Sequence, residues 1–121
     1  MRGGGPAVHG SGGAGLAVAD SVGGAARVSV GPRDVPLVWL DSPAIPTGRV
    51  LPPKHLRKVV AWARERGAVV AVDECYFECA WETEPVSVLV PSVNGGSLDS
   101  VLAVHSLSKR SNLAGYRAAF V

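Results

Sequence analysis

Residues 101–117 read Val101-Leu102-Ala103-Val104-His105-Ser106-Leu107-Ser108-Lys109-Arg110-Ser111-Asn112-Leu113-Ala114-Gly115-Tyr116-Arg117. The first four are continuously apolar rather than alternating, the pattern of a strand covered on both faces. The run meets Ser106, and Lys109 follows three residues on. A lysine at the end of a buried strand, among hydroxyls and beside a second cation, is placed to lose its proton. It can then act as an amine nucleophile or a proton shuttle. Ser106, Ser108 and Arg117 add hydroxyl donors and a forked guanidinium, which suit a phosphate monoester.

Upstream the same grammar recurs. Residues 68–72 are a second apolar, β-branched run that ends at Asp73, and residues 35–40 are a third that ends in Asp41-Ser42-Pro43. Residues 117–121 read as the start of a fourth strand. Between the runs, Pro52-Pro53 opens a helix, because proline is tolerated in the first turn. Leu56, Val59, Val60 and Ala63 then follow helical spacing along one apolar face. Arg64 and Arg66 favour the helix C-terminus, and Gly67 is the expected C-cap. Strand, helix, strand with continuous apolar strands predicts an α/β fold, a mainly parallel sheet with flanking helices. In such sheets ligands sit beyond the carboxyl ends of the strands, where Asp41, Asp73 and Ser106 all fall.

Composition narrows the function classes. The 121 residues are enough for one modest domain. Twelve basic residues against ten acidic ones leave a net charge of +2, and only 6% of residues are aromatic. That balance argues against nucleic-acid binding. Lys54, Arg57, Lys58, Arg64 and Arg66 read instead as the solvent face of one helix. No apolar run is long enough to span a membrane, and the N-terminus lacks the apolar core of a signal peptide. Cys75 and Cys79 make neither a disulfide framework nor a zinc site, so a reducing cytoplasm is the expected location. Ten of the 15 glycines lie in residues 1–34, which are expected to form a loose Gly/Ala-rich segment, leaving residues 35–121 as the folded unit.

A lysine amine beside a phosphate site is the chemistry that anchors pyridoxal phosphate, whose aldehyde condenses with lysine. Four ordered segments strengthen the point: Ser42-Pro43-Ala44-Ile45-Pro46-Thr47-Gly48, Asp73-Glu74-Cys75-Tyr76, Ser106-Leu107-Ser108-Lys109 and Gly115-Tyr116-Arg117. Together they resemble the fold-type I pyridoxal-phosphate-dependent aminotransferases of class I/II. The resemblance covers about residues 35–121 and implies an incomplete piece of that family's large, cofactor-binding domain. By it, Lys109 would carry the cofactor as a Schiff base and shuttle the substrate's proton. Asp73 would pair with the pyridine nitrogen, and Tyr76 would donate to the cofactor's phenolic oxygen. Ser106, Ser108 and Arg117 would hold the phosphate. The substrates would be a small amino acid, with glutamate the expected donor, and a 2-oxo acid or related carbonyl. The wording of residues 108–117 is similar to the actinobacterial succinyldiaminopimelate aminotransferases of lysine biosynthesis. Family members are usually homodimers.

Each residue also has a plainer reading. Asp73 could be a turn residue, Tyr76 a half-buried aromatic, and Lys109 an ordinary surface lysine. Ser106 could cap a turn locally, and Arg117 could pair with a surface acid. Two departures from the family pattern matter. Ile45 stands where the family has an asparagine whose amide bonds the phenolic oxygen, so Tyr76 would act there alone. Family members are also much longer, and the arginine that grips the substrate carboxylate is absent. The alternative expectation is a truncated, non-catalytic remnant that binds the cofactor weakly or not at all. The isolated chain is expected to be poorly soluble or partly unfolded. Gly10-Ser11-Gly12-Gly13-Ala14-Gly15 matches a dinucleotide fingerprint, but no strand precedes it. The three histidines are too dispersed for a metal, and His105 reads as a core or rim residue.

Overall fold

The computed structural model describes residues 16–18 and 37–121. Five strands form one sheet in the order of the chain: β1 (Leu16–Val18), β2 (Leu37–Asp41), β3 (Val69–Asp73), β4 (Val101–Ser106) and β5 (Ala119–Phe120). Strands β1 to β4 run parallel, and β5 returns antiparallel to β4. The expected fourth run is therefore a short antiparallel strand, because only the turn at residues 107–118 separates it from β4 and no crossover helix intervenes. Strand β1 lies inside the glycine-rich segment, where a three-residue apolar run is too short to give a sequence signal. The dinucleotide-like glycine motif falls outside the described residues.

Helix α1 (Pro53–Arg64) forms as its sequence predicts, with Pro52 as N-cap and proline at the first helical position. It ends in a Schellman turn. Ala68 N donates to Ala63 O at 2.9 Å, Gly67 N donates to Arg64 O at 3.2 Å, and Gly67 adopts φ +66°. Two four-residue helices follow, α2 (Pro91–Asn94) and α3 (Leu107–Arg110).

Strand parity sorts the sheet into two faces. Val38 and Leu40 of β2, Val70 and Val72 of β3, and Val101 and Ala103 of β4 are buried against Leu56, Val59, Val60 and Ala63 of α1. The register pairs Asp41 with Asp73 and Asp73 with Val104, so Asp41 and Asp73 belong to the other face, at the strand ends. Ser106 lies two residues beyond Val104 and shares that face.

The basic face of α1 is exposed at Lys54, Arg57, Lys58 and Arg66, as expected, and differs at Arg64. Arg64 is half-buried, and its guanidinium donates to Asn94 O at 2.6 Å, Ser97 O at 2.8 Å and Asp99 O at 2.9 and 3.1 Å. Arg57 Nε donates to Ser92 O at 2.9 Å. These two arginines fasten α1 to the connection that leads into β4, whose carbonyls would otherwise lack donors. Arg64→Ala is expected to cost about 2 kcal/mol, because hydrogen bonds from a charged donor contribute about 1.5–3 kcal/mol and water recovers part of the loss. Chemical denaturation would read that cost. Amide exchange should show residues 94–99 loosening first.

Candidate functional site

The site is built where β3 and β4 end. After β3 the chain turns tightly at Asp73, whose Oδ1 accepts the Cys75 N–H at 3.0 Å. That bond is the local turn role open to any aspartate, and here it coexists with a carboxylate held at the strand end. The turn brings Tyr76 to the start of the 3₁₀ turn Phe77–Cys79. After β4, Ser106 caps α3: its Oγ accepts the Ser108 N–H at 3.1 Å and lies 2.9 Å from Ser108 Oγ. Both hydroxyls therefore gather at one turn.

Lys109 follows on α3 and projects its ammonium over the Tyr76 ring, 5.5 Å from the centroid. A cation over an aromatic face at that range is attractive. Arg110, beside it, is taken up by Glu78 at 2.9 Å, which ties α3 to the 3₁₀ turn after Tyr76. Lys109 and Tyr76 are thus brought together from segments more than 30 residues apart.

The far side of the Ser106 turn is closed by residues 111–118. Leu107 N donates to Ala118 O at 3.1 Å, and Ser106 Oγ also reaches Ala118 O at 3.3 Å. These bonds hold the end of the loop, and with it Arg117, beside Ser106. Arg117 adopts the left-handed conformation, φ +54°, and its Nη1 donates to Ala114 O at 3.1 Å. A non-glycine residue in that region carries strain of order 1–3 kcal/mol and marks a place where the fold over-determines the backbone. Its side chain is exposed and bonds no acid among the described residues.

Asp41 and Ile45 form the neighbouring wall. Ile45 N donates to Asp41 Oδ2 at 2.9 Å, and the Ile45 side chain is exposed. Burial pushes the Asp41 carboxyl above its ordinary value. The Ile45 N–H opposes this, and the nearby Asp73 charge adds to it. A cavity of about 640 Å³ opens between residues 43–50 and 76–83, with Ile45, Thr47, Arg49, Tyr76 and Trp81 among its walls.

The two cysteines are free. Burial first, then a hydrogen bond with Asp73 and the charges of Asp73 and Asp41, push the Cys75 thiol up to about 12. It remains a neutral thiol across the physiological range, whereas Cys79 is exposed. An alkylating reagent at neutral pH should therefore label Cys79 and spare Cys75 in the folded chain, since the thiolate is the reactive form. Peptide mass mapping before and after denaturation checks this. Among the described residues no cluster of histidine, cysteine and acidic side chains could hold a metal, and no helix is long and apolar enough to cross a membrane.

Two residues beside the site escaped the sequence reading as a pair: Glu74, fully buried, and His105. The signal was present, since Glu74 continues the parity of Val70 and Val72, and His105 that of Val101 and Ala103. Both therefore belong to the covered face, as the half of the expectation that placed His105 in the core requires.

The donor set suits pyridoxal phosphate. It offers an amine for the aldehyde, a carboxylate for the ring nitrogen, a phenol, and hydroxyls with a guanidinium for the phosphate. Comparison with known proteins agrees. The family model of aminotransferase class I and II matches residues 25–121. The chain is 60% identical over 91 residues to the 4-dedimethylamino-4-oxo-anhydrotetracycline transaminase of Streptomyces rimosus, covering 75% of this chain and 25% of that protein. It is 59% identical over 96 residues to a probable aminotransferase of Mycobacterium tuberculosis, covering 79% of this chain and 23% of that one. The crystal structure of the aminotransferase AspB from Helicobacter pylori superposes with a TM-score of 0.68 at 36% identity, covering 78% of this chain and 26% of that one. The chain thus spans about a quarter of the length of the relatives it matches. Members of this family use pyridoxal phosphate, and the sheet, its flanking helices and the ordered motifs place this chain in the aminotransferase class I and II family.

Proposed function

We propose that this chain is the cofactor-binding core of an aminotransferase that moves an amino group from an amino acid, with glutamate as donor, to a 2-oxo acid or related carbonyl. The observation that carries this reading is the Lys109 ammonium over the Tyr76 ring, beyond the strand ends that bear Asp73 and Ser106. Pyridoxal phosphate, when bound, supplies an aldehyde and an electron-withdrawing ring. Every other role falls to the chain. Lys109 Nζ would provide the amine that attaches the cofactor and, once the substrate's amine displaces it, would carry a proton between the substrate α-carbon and the cofactor's C4′. The Asp73 carboxylate would hold a proton on the ring nitrogen and keep the ring cationic. The Tyr76 hydroxyl would donate to the phenolic oxygen without help from Ile45. Ser106, Ser108 and Arg117 would hold the phosphate.

The wording of residues 108–117 supports a substrate from the diaminopimelate branch of lysine biosynthesis. In this reading residues 35–121 are the partial cofactor domain, and residues 1–34 are a glycine- and alanine-rich segment whose β1 joins the same sheet. Exposed Trp81 and Tyr116 support assembly as a homodimer, since large aromatic side chains gain most from cover. Two free cysteines support a cytoplasmic location. The test is chemical. The chain is mixed with pyridoxal phosphate, reduced with borohydride and mapped by mass. With only Lys54, Lys58 and Lys109 in the sequence, a phosphopyridoxyl mark concentrated on Lys109 is expected. Equal marking of all three would overturn the proposal.

A further inference from the structure

Glu74 carries a carboxylate with no solvent exposure, one residue after the cofactor aspartate. Its Oε1 accepts the Val88 N–H at 2.8 Å. Its Oε2 lies 3.2 Å from His105 Nε2, within reach but off the line of a directed hydrogen bond. No other partner meets that oxygen among the described residues. Because Nε2 faces a carboxylate, it must carry a proton in either charge state of the ring, or two acceptors would oppose each other. Nδ1 is buried without a partner.

His105 is held from three further directions. Its ring stacks on Phe120, with centroids 5.2 Å apart and planes 15° apart, and meets the edge of Phe77 at 6.4 Å. Its backbone pairs with Phe120 in the β4–β5 ladder. The chain positions involved are informative. Glu74 lies between Asp73 and Tyr76, Phe77 directly follows Tyr76, and His105 directly precedes Ser106. Phe120 lies three residues after Arg117. One buried contact therefore touches all three segments that carry the candidate cofactor residues, from the face of the sheet opposite to theirs. The Val88 bond also closes the connection that begins with Tyr76.

We infer that Glu74 and His105 form a positioning pair, which sets the mutual placement of Asp73 and Tyr76, of Ser106 and Lys109, and of Arg117. Its link to catalysis rests on the function proposed above. The pair itself touches neither substrate nor cofactor. A buried carboxylate against an imidazole N–H is costly to separate, because each group would be left unpaired in the interior. The two strand ends and the returning β5 therefore move as one body. An apolar pair would fill the same space without fixing direction.

The test uses the full chain and three variants: His105→Leu, His105→Gln and the double variant Glu74→Gln/His105→Leu. Glutamine at 105 offers an N–H near the place of Nε2. The double variant avoids a buried unpaired charge, so it stays informative if His105→Leu fails to fold. Amide exchange is followed at Leu107, which donates to Ala118 O, at Val88, and at Ala68 in the helix cap as a reference. Borohydride-trapped marking of Lys109 is followed in parallel. The expected result for the double variant is about tenfold faster exchange at Leu107 and Val88, the order expected when a close buried carboxylate–imidazole contact is lost. Ala68 should be unchanged, His105→Gln should lie near wild type, and Lys109 marking should fall in the same order. Unchanged exchange at Leu107 and Val88 in a folded variant would overturn the inference. So would equal acceleration at Ala68, which would make the pair a general core contact. If the wild-type chain takes no mark on Lys109 while exchange behaves as expected, the proposed function fails and the positioning pair stands.

Discussion

Replacing Lys109 by alanine is expected to remove the phosphopyridoxyl mark almost completely and leave only the slow background of Lys54 and Lys58. Those two lysines lie on α1, and Lys54 and Lys58 are both exposed, away from Ser106 and Arg117. Under the proposed function the preference for Lys109 has a definite origin. A phosphate held by Arg117 and the Ser106 hydroxyl gains at least one charge-assisted hydrogen bond, about 1.5–3 kcal/mol. That corresponds to roughly 10- to 150-fold in local occupancy. Lys109→Arg separates charge from chemistry. The guanidinium keeps a cation near the Tyr76 ring but cannot condense with an aldehyde, so cofactor should still bind by its phosphate while the mark is lost. Arg117→Ala should do the reverse: a mark still confined to Lys109, at roughly tenfold lower apparent affinity, by the same single-bond reckoning. Fluorescence titration with pyridoxal phosphate, followed by borohydride and mapping, distinguishes the three variants. A Lys109→Ala chain that is marked as fully as wild type would remove the chemical basis of the site.

Leu56→Ala is expected to be the most destabilising single truncation in α1, at about 2–5 kcal/mol. Leu56 is 1% exposed and is the largest fully buried side chain of α1. It packs with Val59, Val60 and Ala63 over Val38, Leu40, Val70 and Val72, and α1 is the one long helix among the described residues. A cavity there removes contacts that a four-residue helix cannot replace. Since whole domains are stable by only about 5–15 kcal/mol, the variant should show a clear fall in denaturation midpoint. It should also loosen the whole β2–β3–β4 sheet together, in contrast to the local effect expected of Arg64→Ala. A change under about 1 kcal/mol would mean that α1 does not anchor this face.

The positions of the candidate residues were legible in the sequence. Continuous apolar runs lead to Asp73 and Ser106, with Lys109 three residues beyond, and parallel sheets place ligands at such ends. Helix α1 was legible from its proline start, its apolar spacing and the glycine at its close. Lys54, Arg57, Lys58 and Arg66 are exposed as their helical spacing suggests, and Arg64 alone is half-buried, because a sequence does not reveal that carbonyls at residues 94–99 lie within its reach. Strand β5 was legible as a strand but not in its direction, which depends on how residues 107–118 turn.

What the sequence by itself determined is the set of groups and their order along the chain: the lysine after a buried strand, the carboxylate after the one before it, and the serines and arginine that follow. Patterning and turn chemistry act locally, so they can be read from neighbours. Only the tertiary structure decided which groups meet. The parallel register sets Asp73 beside Val104, α3 swings Lys109 over Tyr76, and the covered face of the same two strands brings Glu74 to His105. Those contacts join segments about 30 residues apart, and their formation depends on sheet register and packing, which no single segment contains.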